Sequence, residues 1–328
     1  MYNFCTLFDT AYLSRGLVMY NSLKQHTDNF HLYIFAFDDL CYTMLSTLNL
    51  DNITVISLSM LENNDLTEAK KTRTRAEYCW TCTSSVIEYI LVNYNTPDCT
   101  YLDADLFFFR SPSAIFDELK KSEKSVLITE HRYSTLSGYF EQKKAGRFCV
   151  QFITFTNNPE SRHVLNIWKN QCLNWCFNKY EYGKFGDQKY LDEWPEKYEN
   201  VHILNHQGGG VAPWNIRRYN IIEKNNSLYG IDLATNEQFN LIFFHFHFVR
   251  FQENGKVDLG WNYLSKKIKR IIYYPYILKI IETEKMLSDL NPEYRISFYK
   301  NSSRNFKEIF KSFLKSSSMF NILKIQDI

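Results

Sequence analysis

Apolar residues fall in short blocks along the first part of the chain, separated by stretches in which they recur at helical spacing. Phe4 to Phe8 is a compact run ended by Asp9, and from Tyr12 to His26 the residues Leu13, Leu17, Val18 and Leu23 follow an approximately helical period. Phe30 to Phe37 reads as a second strand, stopped by Asp38-Asp39, and Val55 to Leu58 as a third. Strands alternating with helices predict parallel pairing through helical crossovers, with ligand-binding loops at the carboxyl ends of the strands.

The pattern continues with a helical stretch from Asp65 to Tyr94 in two pieces, the first crowded by Lys70, Lys71, Arg73 and Arg75, the second faced by Trp80, Val86, Ile87, Ile90 and Leu91. Asn95 to Asp98 is a loop by composition. Cys99 to Leu102 then forms a short strand that delivers Asp103 and Asp105 to its end. The apolar run Leu106 to Phe109 follows, then a helix from Ser113 to Leu119 and a strand from Ser125 to Thr129. Phe148 to Thr156 is β-rich, Ser161 to Tyr180 reads as a long helix, and Val201 to Asn205 as a strand before Gly208-Gly209-Gly210. Leu241 to Phe248 is the most strand-like run of the later half. Past Trp261 the chain turns basic and helical, without a repeat or low-complexity linker. The expected division is a main α/β domain over 1–258 and a helical, basic extension over 259–328.

Composition narrows the class. The chain has 328 residues, 45% hydrophobic and 23% charged, enough for a sizeable core. A net charge of +2 argues against nucleic acid as a partner. Lys266, Lys267, Lys269, Arg270, Lys307, Lys311 and Lys315 concentrate positive charge in the tail. This is read first as a solvated helical face, and second as peripheral contact with the inner face of an acidic membrane. The 23 Tyr and 26 Phe are read mainly as core. Eight cysteines without a basic-then-apolar leader, and no run long enough to span a bilayer, predict free thiols and a cytoplasmic location. Cys79 to Cys82 and Cys172 to Cys176 have suggestive spacing, but both pairs lie in apolar surroundings and read as buried thiols.

Candidate chemistry centres on Tyr101-Leu102-Asp103-Ala104-Asp105. Two carboxylates two positions apart, leaving a strand in extended form, can point the same way and share Mn²⁺ or Mg²⁺, both of which favour oxygen ligands. An Asp-x-Asp alone is weak, but this one lies between two buried segments, where charge needs a partner. His245 and His247, two apart in a strand-like run, read either as hydrogen-bonded core histidines or as a source of one nitrogen for the same metal. Gly186-Asp187-Gln188 makes a compact turn that aims an acid and an amide into a cleft, or a plain helix cap. Gly210, Pro213, Trp214 and Asn215 are acceptor or sugar candidates, with Trp214 suited to stacking on a sugar.

Taken together, the Thr6 to Asp9 strand, the acidic pair, Gly186-Asp187-Gln188 and the late histidine run resemble the GT-A type nucleotide-diphospho-sugar glycosyltransferases. The order and spacing are closest to the retaining bacterial galactosyltransferase and glycogenin group, over roughly residues 1–250. The resemblance implies a Rossmann-like mixed sheet flanked by helices. It also implies that Thr6, Leu7, Phe8, Asp9 and Tyr12 hold base and ribose, that Ala104 approaches the ribose, and that Arg75, with Arg73 second, contacts diphosphate or sugar. Asp103 and Asp105 would hold Mn²⁺ with His245 or His247, and Asp187 and Gln188 would border the reacting sugar. Where that group continues from its histidine to Gly and then Lys-Pro-Trp, this chain has Phe248-Val249-Arg250, which leaves Arg250 or Lys256 as the substitute phosphate contact.

The implied activity is metal-dependent transfer of a sugar from a nucleotide-diphosphate donor, UDP-sugar favoured, to a glycan or lipid-linked glycan in surface polysaccharide synthesis; the resemblance leans towards retention of configuration, whereas an inverting enzyme would use Asp187 as its base. A sugar nucleotidyltransferase would carry a Gly-rich, Lys-containing loop after the first strand, which Thr6 to Gly16 lacks. A non-catalytic carbohydrate-binding protein would need neither Asp103 nor Asp105.

Overall fold

The computed structural model describes residues 1–134, 136–296, 298 and 321–328. Its first half alternates strands with helices: β1 (Tyr2–Phe8), α1 (Leu13–His26), β2 (Phe30–Ala36), α2 (Asp39–Leu48), β3 (Ile53–Ser57), α3 (Leu58–Leu61), α4 (Asn64–Lys70), α5 (Arg75–Asn93) and β4 (Asp98–Leu102). Then come β5 (Leu106–Phe108), α6 (Ser113–Ser122), β6 (Val126–Glu130), α7 (Leu136–Ala145), β7 (Phe148–Thr156) and α8 (Pro159–Asn174). The remainder holds α9 (Trp194–Lys197), β8 (Val201–Ile203), β9 (Tyr219–Lys224), β10 (Ser227–Asp232), β11 (Gln238–Asn240), β12 (Phe243–His245), β13 (Arg250–Gln252), β14 (Lys256–Asp258), α10 (Lys266–Ile268), α11 (Tyr274–Leu290) and β15 (Ile322–Lys324).

The central sheet is mixed, seven strands in the order β3-β2-β1-β4-β7-β6-β8 with helices on both faces. Parallel pairing holds from β3 through β4, but β7 runs antiparallel to both β4 and β6. The expectation of parallel strands thus applies to the first half, and β7 departs from it as a nine-residue strand buried almost throughout. Burial on both faces explains why β1, β2 and β7 are mostly apolar, with polar residues such as Thr6 and Gln151 buried among them. The side chains of one sheet face pack on α5 and α8 through Val86, Ile90, Leu165 and Trp168. Those of the other pack on α1 and α2 through Leu17, Tyr20, Met44 and Leu45.

Helix starts follow their caps. Asp38 accepts from Cys41 N at the start of α2, Asn63 from Leu66 N at α4, and Asn158 from Ser161 N at α8, where Pro159 opens the first turn. Thr74 and Glu77 form a reciprocal capping box on α5, so the predicted Asp65–Tyr94 helix divides where that box begins. The predicted helix to Tyr180 ends earlier, at Asn174, because Trp175 is extended. From there the chain loops back, and Gly186 N donates to Phe177 O.

The predicted strand from Leu241 to Phe248 shrinks to Phe243–His245, which pairs antiparallel with β5. Phe248 carries a positive φ of 71°, which ends extended pairing there. Beside this pair, β9, β10 and β11 form a meander, and β13, β14 and β15 a further small sheet. All eight cysteines are free, and all but the half-buried Cys79 are buried. In the basic tail Lys266, Lys267 and Arg270 are exposed but Lys269 is buried, so this run is not one solvated face. Lys307, Lys311 and Lys315 lie outside the described residues. Among the described residues no helix is long and apolar enough to cross a membrane.

Candidate functional site

The acidic pair leaves β4 where the sheet ends. Asp103 N still donates to Gln151 O of β7, so Asp103 is held as an extension of the β4–β7 ladder. Asp105 begins the two-stranded ladder with β12, and its carbonyl accepts from Phe246 N at 2.9 Å. His245, the last residue of β12, is thereby set against both aspartates: its Nε2 lies 3.1 Å from Asp105 and 3.6 Å from Asp103.

The other imidazole nitrogen is committed. Nδ1 of His245 donates to Oε1 of Gln151 at 2.6 Å, which turns Nε2 toward the carboxylates. Cys149, two positions before Gln151 and on the same face of β7, completes a buried cluster. One ligand atom each from Asp103, Cys149 and His245 lies within 4.8 Å of the other two. Two carboxylates, an imidazole and a thiol form a donor set that fits a divalent metal ion.

Without a metal, the charges lean on one another. Burial opposes ionisation of Asp105, but the His245 ring outweighs it and lowers its pKa, while Asp105 raises that of His245 well above the ordinary value. Asp103 is pushed up to about 6 by burial and by the charge of Asp105. Asp187 is pushed up to about 7, by burial first and then by Asp103. A cluster in which acids resist losing their protons is one that a cation would relieve.

The glycine-rich segment forms one wall. Gly210 has a φ of 115°, and a Cβ built on it would meet Nε2 of Gln151 at 3.2 Å, so glycine serves both backbone and neighbour. Val211 O accepts from His245 N at 3.0 Å. Trp214 presents ring edges to His245, His131 and His247, with centroids 5.2, 5.1 and 5.8 Å away. Its indole Nε1 is buried without a partner among the described residues. Asn215 is fully buried and spent on the backbone: it accepts from Ala212 N and donates to the carbonyls of His131 and Gly210. Pro213 is buried as well.

Other predicted residues stand differently. Thr6, Leu7 and Phe8 are buried in β1, and Asp9 and the exposed Tyr12 follow its carboxyl end. Arg75 is paired with Asp9 and, at 2.7 Å, with Asp38. Asp187 is buried and its carbonyl accepts from Trp168 Nε1, while the Gln188 amide donates to Ala145 O. His247 lies in the turn after β12 with its side chain exposed.

Sequence reasoning missed Cys149, Gln151, Asp38 and Arg15. Arg15 is buried on α1, donates to Val249 O at 3.0 Å, lies over the Tyr12 ring and helps keep Asp105 ionised. The alternation of Cys149 and Gln151 in a β-rich run was the available signal for two of these.

No protein-family model matches the chain. It is 30% identical over 285 residues to YfnD, an uncharacterized protein of Bacillus subtilis strain 168, covering 85% of this chain and 88% of YfnD. It is also 30% identical over 251 residues to YfnF of the same organism, covering 74% of this chain and 80% of YfnF. Among solved structures it is similar to the glycosyltransferase GlyE of Streptococcus pneumoniae TIGR4, at 14% identity and a TM-score of 0.49 over 93% of this chain and 66% of that one. The galactosyltransferase LgtC, in complex with donor and acceptor sugar analogs, gives 14% identity and 0.48 over 66% and 77% of the two chains. Mouse xyloside xylosyltransferase 1 gives 14% and 0.45 over 74% and 97%.

Proposed function

The chain belongs to the family of the Bacillus subtilis proteins YfnD and YfnF, and from that footing we propose that it is a metal-dependent glycosyltransferase. It moves a sugar from a nucleotide-diphosphate donor, UDP-sugar favoured, to a glycan or lipid-linked glycan acceptor in surface polysaccharide synthesis. The observation that carries this reading is the convergence of Asp103 and Asp105, at the carboxyl end of a sheet strand, on a histidine oriented by Gln151. The order of these residues along the chain, which resembles the GT-A enzymes, supports it.

Asp103, Asp105 and His245 would hold Mn²⁺ or Mg²⁺. When bound, such an ion offsets negative charge on a departing diphosphate. The protein's own contribution is position. Asp9 and Tyr12 at the end of β1 line the nucleotide side, with Asp9 braced by Arg75 and by the backbone N–H of Tyr12. Trp214 and Gly210 form the sugar side, where the unpartnered indole N–H is a donor for a hydroxyl.

Asp187 and Gln188 border the reacting sugar. The Asp187 carboxyl, pushed up to about 7, is a poor permanent anion and a suitable hydrogen-bond partner for a sugar hydroxyl. Retention of configuration, in which the departing phosphate oxygen takes the acceptor's proton, follows the resemblance to the retaining galactosyltransferase group. Remote binding of the nucleotide then holds the anomeric carbon in place.

The test is release of free nucleotide from a panel of nucleotide sugars with and without Mn²⁺. Metal-dependent release from one donor is expected, with Asp103→Asn and Asp105→Asn each reducing it by about 10²-fold or more. Absence of both donor and metal binding in the intact protein would sink the reading.

A further inference from the structure

The cluster at the end of β4 contains a donor that an oxygen-seeking ion does not require. Cys149 is 5% exposed and its backbone is fixed in β7, where its carbonyl accepts from the Thr129 hydroxyl at 3.0 Å. Across the β6–β7 ladder it pairs with Thr129, just past an irregularity between Leu127 and Thr129 that shifts the register of the two strands. The thiol shares a face with Gln151, whose side chain holds His245. Strand geometry alone therefore carries a sulfur to the same place as the imidazole.

Its neighbours there are ligand atoms. Asp103, Cys149 and His245 each contribute one such atom within 4.8 Å of the other two, and a carboxylate oxygen of Asp105 lies 3.1 Å from Nε2 of the same His245. Metal–sulfur and metal–nitrogen bonds run about 2.0–2.3 Å, so small side-chain shifts bring all three onto one ion. A structural thiol placed for packing alone has no need of two ionisable groups around it. The other buried cysteines are not part of any such group among the described residues.

We propose that Cys149 is a metal ligand that gives this site a preference for thiophilic ions, Zn²⁺ and Co²⁺, beyond what its oxygen and nitrogen donors supply. The inference rests on the metal-site reading above and adds a fourth donor to it. As the sulfur–metal bond forms, the S–H bond breaks and its proton leaves to solvent, so the ion's charge is offset by a thiolate with no change of oxidation state. Hard ions such as Mg²⁺ gain little from that sulfur, and Zn²⁺ gains most.

The experiment uses the full chain, stripped of metal and titrated with Co²⁺, Zn²⁺ and Mn²⁺. Stoichiometric Co²⁺ is expected to give a sulfur-to-cobalt charge-transfer band in the near ultraviolet that Cys149→Ser abolishes while Co²⁺ still binds. Competition titrations are expected to show the Zn²⁺-to-Mn²⁺ affinity ratio falling by about tenfold or more in Cys149→Ser, with Mn²⁺ affinity little changed. Cys149→Ala provides the second variant where serine perturbs folding, and far-ultraviolet circular dichroism checks both. Cobalt bound without the band, or an unchanged ratio in the variants, overturns the role of Cys149 and leaves the metal site standing. Failure of all three ions to bind the wild-type chain overturns both.

Discussion

Gln151 accepts a 2.6 Å hydrogen bond from Nδ1 of His245, and that single bond decides which imidazole nitrogen faces Asp103 and Asp105. The amide stands on the central antiparallel strand and the ring on a short strand added after the acidic motif. The link therefore joins two sheets that share no strand.

Gln151→Leu should keep the volume and remove the acceptor. Divalent-metal affinity is expected to fall about 10- to 100-fold, the range seen when an outer partner of a ligating histidine is lost. Isothermal titration calorimetry with Mn²⁺ would measure this. An unchanged affinity would mean that the ladder alone orients the ring.

Arg75 offers a different discrimination. Because its guanidinium is engaged by Asp9 and Asp38, Arg75→Ala should disturb the nucleotide side and raise KM for the donor about tenfold, with kcat changed less than about twofold. A matched loss in kcat would instead assign it to the diphosphate or the sugar, as the family resemblance implies.

Asn215→Ala should unfold the wall rather than weaken the chemistry. The side chain is fully buried and satisfies one amide and two carbonyls. Its loss is expected to cost roughly 3 kcal/mol, read as a lower urea midpoint at unchanged slope.

Glu118 supplies a pH signature away from the site. Its carboxylate accepts from His202 Nε2 and from the backbone N–H groups of Asn205 and His206 at 2.7, 2.6 and 2.9 Å. Burial opposes ionisation, but these bonds prevail and lower its pKa below the ordinary 4.5. A depressed carboxylate stabilises the fold above 4.5, and that contribution is lost as pH falls through the lower folded value. Glu118→Gln should therefore cost about 2 kcal/mol at pH 7 and progressively less as the pH drops below 4.5. Chemical denaturation at pH 7 and pH 3 would compare the two.

The parts of this fold that were legible in the sequence are those set by local pattern. The buried strands β1 and β2 announce themselves as predominantly apolar runs, and Asp103 and Asp105 stand out as charge between apolar blocks. The division of the Asp65–Tyr94 stretch into two helical pieces was legible too, and the Thr74–Glu77 capping box fixes where the second piece begins. Cys149 and Gln151, by contrast, were hidden. Their importance comes from pairing β7 beside β4, and register across strands about 50 residues apart is not written in either strand alone. Likewise His245 and His247 look equivalent in a strand-like run, and only the end of the β5–β12 ladder, with the turn at Phe248, sets them apart. The meander from Tyr219 to Asn240 went unread because its strands are short and bury only one face, through Tyr219, Ile221, Leu228 and Phe239, with polar residues between.

The β5–β12 pairing also bears on how the protein comes to fold. It joins Leu106 to His245 across some 140 residues, and its closure is what brings the imidazole to the aspartates. Closing so long a loop carries an entropic cost that must be met before any reward from the contact. During synthesis the acidic pair leaves the ribosome well before its histidine, so the nascent chain passes through a stage in which its main sheet can assemble without a competent metal site. In refolding experiments metal capture is accordingly expected to lag the burial of the β1–β4 core.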